Sequence, residues 1–228
     1  MIRLRQSLTD MRIAFDLDAV LFDYKPVINF LNTTFDKDLS LKDIKGYFLE
    51  RFYKQSYEVL FPLTAEFIRD CPASEVVPIP GMLEALRTLH EQGHYLIAAT
   101  ARDPICEDRT YREVGRFFGR YIKHVDFSSK LGKGHSKYDL LRARAVDVIV
   151  DDRLETVVEC ARAVIPIRGV VFNYHDSYGW NTPQNGELAG IEHLVRRATT
   201  GEEVVRAVEE FQVQEQSRRI VHLGGMGS

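Results

Sequence analysis

The chain has 228 residues and a mass of 26.2 kDa, roughly one and a half domains of ordinary size, which fits one large domain with a smaller insert and excludes a long repeat array. Hydrophobic residues make up 45% and charged residues 28%, enough for a soluble core that needs neither disulfides nor a structural metal. Thirty basic against 33 acidic side chains leave a formal charge of −3, which excludes the electrostatic footprint of a protein built for nucleic acid polymers or anionic membranes.

Residues 1–10 are polar and lack the apolar stretch of a signal peptide, and no apolar run approaches the ~20 residues that span a bilayer. A cytoplasmic location without membrane partners is the expectation. Segment 11–20 is mostly apolar as far as Phe15 and then meets Asp16 and Asp18, the pattern of a buried strand emerging at a sheet edge. Residues 26–67 change character. Phe30, Phe35, Tyr47, Phe48, Phe52, Tyr53, Tyr57, Phe61 and Phe67 recur at near-helical spacings, and Ser40 is placed as an N-cap before Leu41. This predicts a small helical insert.

Pro72, Pro78, Pro80 and Gly81 punctuate its end. A helix over 82–91 follows, with Gly93 as its left-handed stop, and then a buried strand over 95–100. The pattern continues with helix 107–118, strand 121–127, helix 137–145, an apolar run over 146–150 ending in Asp151 and Asp152, helix 154–163 and strand 167–172. Residues 183–190 read as loop, 201–216 as a last amphipathic helix, and 223–228 as a glycine-rich tail. Strands alternating with helices predict an α/β fold with a parallel sheet covered on both faces. The three cysteines, Cys71, Cys106 and Cys160, show no CxxC spacing and read as reduced, buried thiols. Seven scattered histidines without HExxH spacing give no zinc site.

Several strands end in reactive polar residues: the first in Asp16 and Asp18, the second in Thr100, a later one in Asp151 and Asp152. In open parallel sheets the ligand crevice lies beyond the carboxyl ends of the strands, so these residues should converge. Gathered carboxylates raise one another's pKa, and a hard divalent cation relieves them; Mg²⁺ suits a few carboxylates plus a substrate phosphate.

The run Phe15-Asp16-Leu17-Asp18-Ala19-Val20 resembles the first motif of the haloacid dehalogenase-like superfamily. Thr100 after Leu96-Ile97-Ala98-Ala99 is similar to its second motif, Lys137 to its third, and Val148-Ile149-Val150-Asp151-Asp152 to its fourth. Within that superfamily, Thr100-Ala101-Arg102, Asp151-Asp152-Arg153, the early insert and the segment from Val171 to Asn181 resemble the 5′-nucleotidase type C and deoxyribonucleotidase branch. The resemblance implies a Rossmann-like three-layer core with strand order 3-2-1-4-5. Residues 1–25 and 79–228 would form the hydrolase core and 26–78 a helical cap.

It also implies roles. Asp16 is the nucleophile, and Asp18 the acid and base. Asp16, Asp151 and the Asp18 carbonyl hold Mg²⁺, with Asp152 as their outer partner. Thr100, Ala101 and Lys137 hold the substrate phosphate. Phe22, Tyr24 and Arg102 are candidate substrate contacts, though Arg102 could instead pair with Asp103 or Asp151. The implied activity is hydrolysis of a small phosphorylated metabolite, a nucleoside 5′-monophosphate or deoxynucleotide before a sugar phosphate. A dehalogenase would leave Asp18 and Asp151 idle, and a silent binding module would not need the carboxylates. Lys130 and Lys133 compete with Lys137 for the lysine role, but Lys137 opens the helix that feeds the Asp151 strand. Ala19 stands where glycine is common, which matters only if the backbone there needs positive φ. The last helix is left to pack on its own core or on a partner, such as a second copy in a homodimer.

Overall fold

The structure, a computed structural model, describes residues 10–46, 49–131, 136–181 and 186–224, the last seven by backbone only. Lys133, His135, Tyr47, Phe48 and the glycines beyond 224 lie outside the described residues.

Strand β1 (Arg12–Phe15) is followed by helices α1 (Lys25–Phe35), α2 (Leu49–Tyr53) and α3 (Tyr57–Asp70). Helix α4 (Met82–Glu91), β2 (Tyr95–Thr100), α5 (Glu107–Phe118), β3 (Ile122–Phe127), α6 (Lys137–Ala143) and β4 (Val148–Asp151) come next. The chain closes with α7 (Leu154–Arg162), β5 (Arg168–Phe172), β6 (Val195–Ala198) and α8 (Gly201–Gly224). The six strands form one parallel sheet in the order β3-β2-β1-β4-β5-β6, a Rossmann-like arrangement with the expected order plus one edge strand.

The central strands are apolar because both faces are covered. Ile13, Phe15, Val148, Ile149 and Val150 are all fully buried, each stabilising the fold by about 1.5–3 kcal/mol relative to exposure. One apolar cluster runs from Phe15 and Val150 through Leu17 and Leu21 into the helices after β1, reaching Ile28, Leu31, Tyr53 and Leu60. The insert therefore shares its core with the sheet. Cys106 and Cys160 are buried as expected, but Cys71 is only half-buried.

One local expectation changes, and two further features add to the sequence reading. Ser40 starts no helix: its amide and hydroxyl both donate to the Asp43 carboxylate, at 2.8 and 2.6 Å, and close a turn. Strand β6 has no clear apolar run, because Arg196 and Arg197 occupy its middle and the sheet edge tolerates them. Ala19 adopts φ 61°, so the turn after β1 does use the left-handed region, at a cost of about 1–2 kcal/mol for a residue with a Cβ.

Helix α8 begins against the start of α4. A Cβ built on Gly201 would stand 2.3 Å from the Gly81 carbonyl oxygen, which itself accepts from the Ala85 amide. Gly201→Ala must push these backbones apart. It should cost about 1–3 kcal/mol, read as a lower urea midpoint at unchanged slope. An unchanged midpoint would show that the two helix starts stand further apart than described.

Candidate active site

After β1 the chain builds β2 and β3 on one side, then returns to place β4 on the other. The carboxyl ends of β1 and β4 therefore open onto the crevice where strand order reverses. Pairing sets Phe15 opposite Val150, and the Asp16 amide donates to the Val150 carbonyl at 2.9 Å. Asp16 and Asp151 consequently leave neighbouring strands side by side. One carboxylate oxygen each from Asp16, Asp151 and Asp152 lies within 4.8 Å of the others, and all three residues are buried.

Lys137, the first residue of α6, enters this cluster. Its Nζ donates to Asp151 Oδ2 at 2.7 Å and stands 3.1 Å from Asp16 Oδ1. The Ser136 amide, just before the helix, donates to Asp139 at 2.8 Å and fixes where the helix starts. Lys130 is elsewhere, paired with Glu107 at 2.5 Å. Backbone amides complete the cradle: Leu17 donates to Asp16 Oδ1 at 2.8 Å and Arg153 to Asp151 Oδ1 at 2.9 Å. Trp180 Nε1 donates to Asp152 Oδ2 at 2.9 Å, while Asp152 Oδ1 is buried with no partner among the described residues.

Three carboxylates face one ammonium. Burial, reinforced by the charges of Asp151 and Asp18, pushes Asp16 up to about 7 although Lys137 and the Leu17 amide pull it down. Burial also raises Asp152, and Asp151 and Asp16 raise it further. Burial opposes the charge on Lys137, yet Asp151 and Asp16 outweigh it and hold the ammonium protonated. The donor atoms are all hard oxygens, a buried oxygen of Asp152 has nothing to bind, and carboxyl groups outnumber the ammonium three to one. These residues fit a hard divalent cation of the Mg²⁺ kind. Asp152, expected in an outer role, offers a carboxylate oxygen within the cluster and is placed to ligate as well.

Asp18 lies just outside. Its carboxylate accepts from Arg102 Nη2 at 2.7 Å and Nε at 3.0 Å. Arg102 thus pairs with neither Asp103 nor Asp151; its other partners are Thr110 Oγ1 at 3.1 Å and Glu113 Oε2 at 3.3 Å. Glu113, unremarked in the sequence because a helix glutamate looks solvated, is buried. Thr100 is buried at the end of β2, its hydroxyl accepting from the Arg102 amide at 3.1 Å, which leaves the hydroxyl proton free to donate.

A cavity of about 440 Å³ joins these groups, lined by Asp16, Asp18, Thr100, Ala101, Arg102 and Lys137 and, from the segment after β1, by Tyr24, Tyr57, Leu60 and Phe61. Phe22 is not among its walls. It is buried against Phe117 and Phe118, with the Arg102 guanidinium 5.7 Å over its ring. The expectation of a Phe22 substrate contact is therefore corrected: the left-handed turn at Ala19 folds the chain back so that this ring enters the core. Tyr57 and Phe61, one helical turn apart on α3, stack at 5.0 Å and supply the aromatic wall instead. Among the described residues, no helix is long and apolar enough to cross a membrane.

No family model and no curated protein matches the chain. Solved structures do match in fold. A haloacid dehalogenase-like protein of unknown function from Agrobacterium tumefaciens aligns with TM-score 0.62 and 17% identity, over 89% of this chain and 99% of that one. A HAD family hydrolase from Deinococcus radiodurans, solved with bound phosphate and sodium, aligns with TM-score 0.59 and 16% identity over 90% and 97%. A Thermotoga maritima protein assigned as a β-phosphoglucomutase gives 0.54 and 16% over 88% and 99%. At these identities the shared property is the fold.

Trp180 is the chain's single tryptophan, so its emission isolates this site. A divalent cation taking up Asp152 Oδ1 alters the indole's acceptor. Titration with Mg²⁺ should give a saturable change in emission, and Asp152→Asn should remove it with far-UV circular dichroism unchanged. Emission indifferent to Mg²⁺ would place any cation away from Asp152.

Proposed function

We propose that this chain is a haloacid dehalogenase-like phosphomonoester hydrolase that uses Mg²⁺ and forms an aspartyl-phosphate on Asp16. Residues 1–25 and 79–228 would be its hydrolase core and 26–78 its cap. The observation that supports this most is the division of labour at the end of β1: Asp16 sits in the carboxylate cluster beside Lys137, and Asp18 faces the same cavity from outside that cluster.

In this reading Asp16 attacks phosphorus as the ester P–O bond breaks, and the Asp18 carboxyl gives its proton to the leaving oxygen. Asp18, now a carboxylate, takes a proton from the water that attacks the aspartyl-phosphate. That second displacement releases inorganic phosphate and returns the Asp16 carboxylate. Lys137, the Thr100 hydroxyl and Ala101 hold the phosphoryl oxygens. Mg²⁺, held by Asp16, Asp151 and the Asp18 carbonyl with Asp152 in reach, would reduce the repulsion between Asp16 and the phosphate. The helices after β1 close the cavity from water and select the leaving group.

The substrate reading is a nucleoside 5′-monophosphate or deoxynucleotide, supported by the stacked Tyr57 and Phe61 beside Tyr24 and Leu60 in the cavity wall, a surface that suits a flat base. A sugar phosphate is the second reading. Glu50, Glu155 and Glu159 at the cavity rim could accept from hydroxyls, and the relative assigned as a β-phosphoglucomutase shares the fold. A cytoplasmic enzyme acting on small metabolites, monomeric or as a homodimer, fits either.

Turnover of a nucleotide and sugar-phosphate panel should depend on Mg²⁺, stop with EDTA and return on adding the metal. Asp16→Asn should abolish it while the protein stays folded. Wild-type rates in Asp16→Asn would remove Asp16 as nucleophile. Turnover of sugar phosphates with none of any nucleotide would overturn the nucleotide reading and leave the hydrolase intact.

A further inference from the structure

Arg102 is held more completely than the fold requires. Its side chain is 5% exposed, and its planar fork meets both oxygens of Asp18 through Nε and Nη2. On the far side Nη1 donates to Thr110 and Glu113, three residues apart on one face of α5. Glu113 Oε1 in turn accepts from Arg109 Nε, and Arg109 Nη2 donates to the Cys71 carbonyl at 2.9 Å, at the end of α3. The ring of Phe22 closes the guanidinium from beneath. Removing four charged groups from water is a costly way to stabilise a core, since apolar residues of similar volume do so as well or better. The chain of ions is better explained by what it orients.

We propose that Arg102 is a positioning residue that clamps the Asp18 carboxyl for proton delivery to the leaving oxygen, with Glu113 and Arg109 tying the clamp to the end of α3. The bidentate fork fixes the plane of the carboxyl group, which a single lysine contact does not. Each carboxyl oxygen carries two lone pairs, so Oδ2, with one donor, keeps a lone pair for the reacting proton. The assignment rests on the hydrolase reading above. In that reaction the proton leaves Asp18 as the ester bond breaks and the bond from Asp16 to phosphorus forms.

The test varies the need for a proton while the ring to be bound stays similar. Benzyl phosphate expels a basic alkoxide and needs an acid; p-nitrophenyl phosphate expels a stabilised phenolate and does not. In Arg102→Lys and Arg102→Gln, kcat/KM, which covers the steps through release of the alcohol and so leaves out the later water step in which Asp18 is the base, should fall by about 10²-fold for benzyl phosphate, the usual worth of acid catalysis, and stay within a few-fold of wild type for p-nitrophenyl phosphate. Glu113→Gln and Thr110→Val, which touch only the far side of the guanidinium, should shift the ratio the same way by a smaller factor. They carry the test if the Arg102 variants do not fold. Equal losses of kcat/KM on both esters would overturn the clamp and leave the hydrolase reading standing. A wild-type protein inert toward both would overturn the hydrolase reading and the clamp with it.

Discussion

The parallel pairing of β1 with β4 is the constraint on which the site depends. Residue 15 faces residue 150 across the ladder, so the next residues, Asp16 and Asp151, emerge together at the strand ends. Neither could move without shifting apolar strands buried on both faces. The energy of the core therefore holds two like charges at a separation they would not choose. Asp152 adds a third carboxylate, and Lys137 from α6 touches Asp16 and Asp151 with a single positive charge. Burial then acts on the remainder and favours a proton or a cation.

The second polar network differs in kind. Asp18, Arg102, Glu113 and Arg109 alternate in sign, so this chain of charges is close to neutral within itself. It asks for no cation and can serve to orient. Two carboxylates two residues apart on one turn thus meet opposite surroundings: Asp16 with charge left over, Asp18 with charge matched. The turn that separates them is the one where Ala19 accepts a left-handed conformation, which both aims Asp18 at Arg102 and sends Phe22 into the core.

The sheet was largely readable before any coordinates. Central strands such as Tyr95–Thr100 are short apolar runs stopped by polar residues, and helices Met82–Glu91 and Glu107–Phe118 have the bounds their periodicity predicts. Strand β6 was not readable, because an edge strand with two arginines carries no apolar alternation. The residues that meet at the crevice were legible as strand ends and helix starts. Their partners were not: Glu113 lies 11 residues beyond Arg102 on a helix whose other carboxylates, Glu107 and Asp108, are more exposed, and Trp180 reaches Asp152 from a turn 28 residues away. Such contacts depend on how elements pack rather than on local pattern, as does the choice between Phe22 and the Tyr57–Phe61 pair for the aromatic wall.

The central claim, that the fold holds more buried negative charge than its own cations neutralise, is tested most directly by thermal unfolding of the metal-free protein across pH 5 to 8, with and without saturating Mg²⁺. Asp16 stands near 7 when folded against 3.8 as an ordinary carboxyl, and Asp152 is displaced the same way. Between those values the folded chain binds more protons than the unfolded one, so these groups make stability fall as pH rises through the window. The account predicts a midpoint that declines from pH 5 to 8 without the cation, and a decline that saturating Mg²⁺ largely removes. A metal-free midpoint that holds level or climbs over that range, and that Mg²⁺ leaves unmoved, would contradict it.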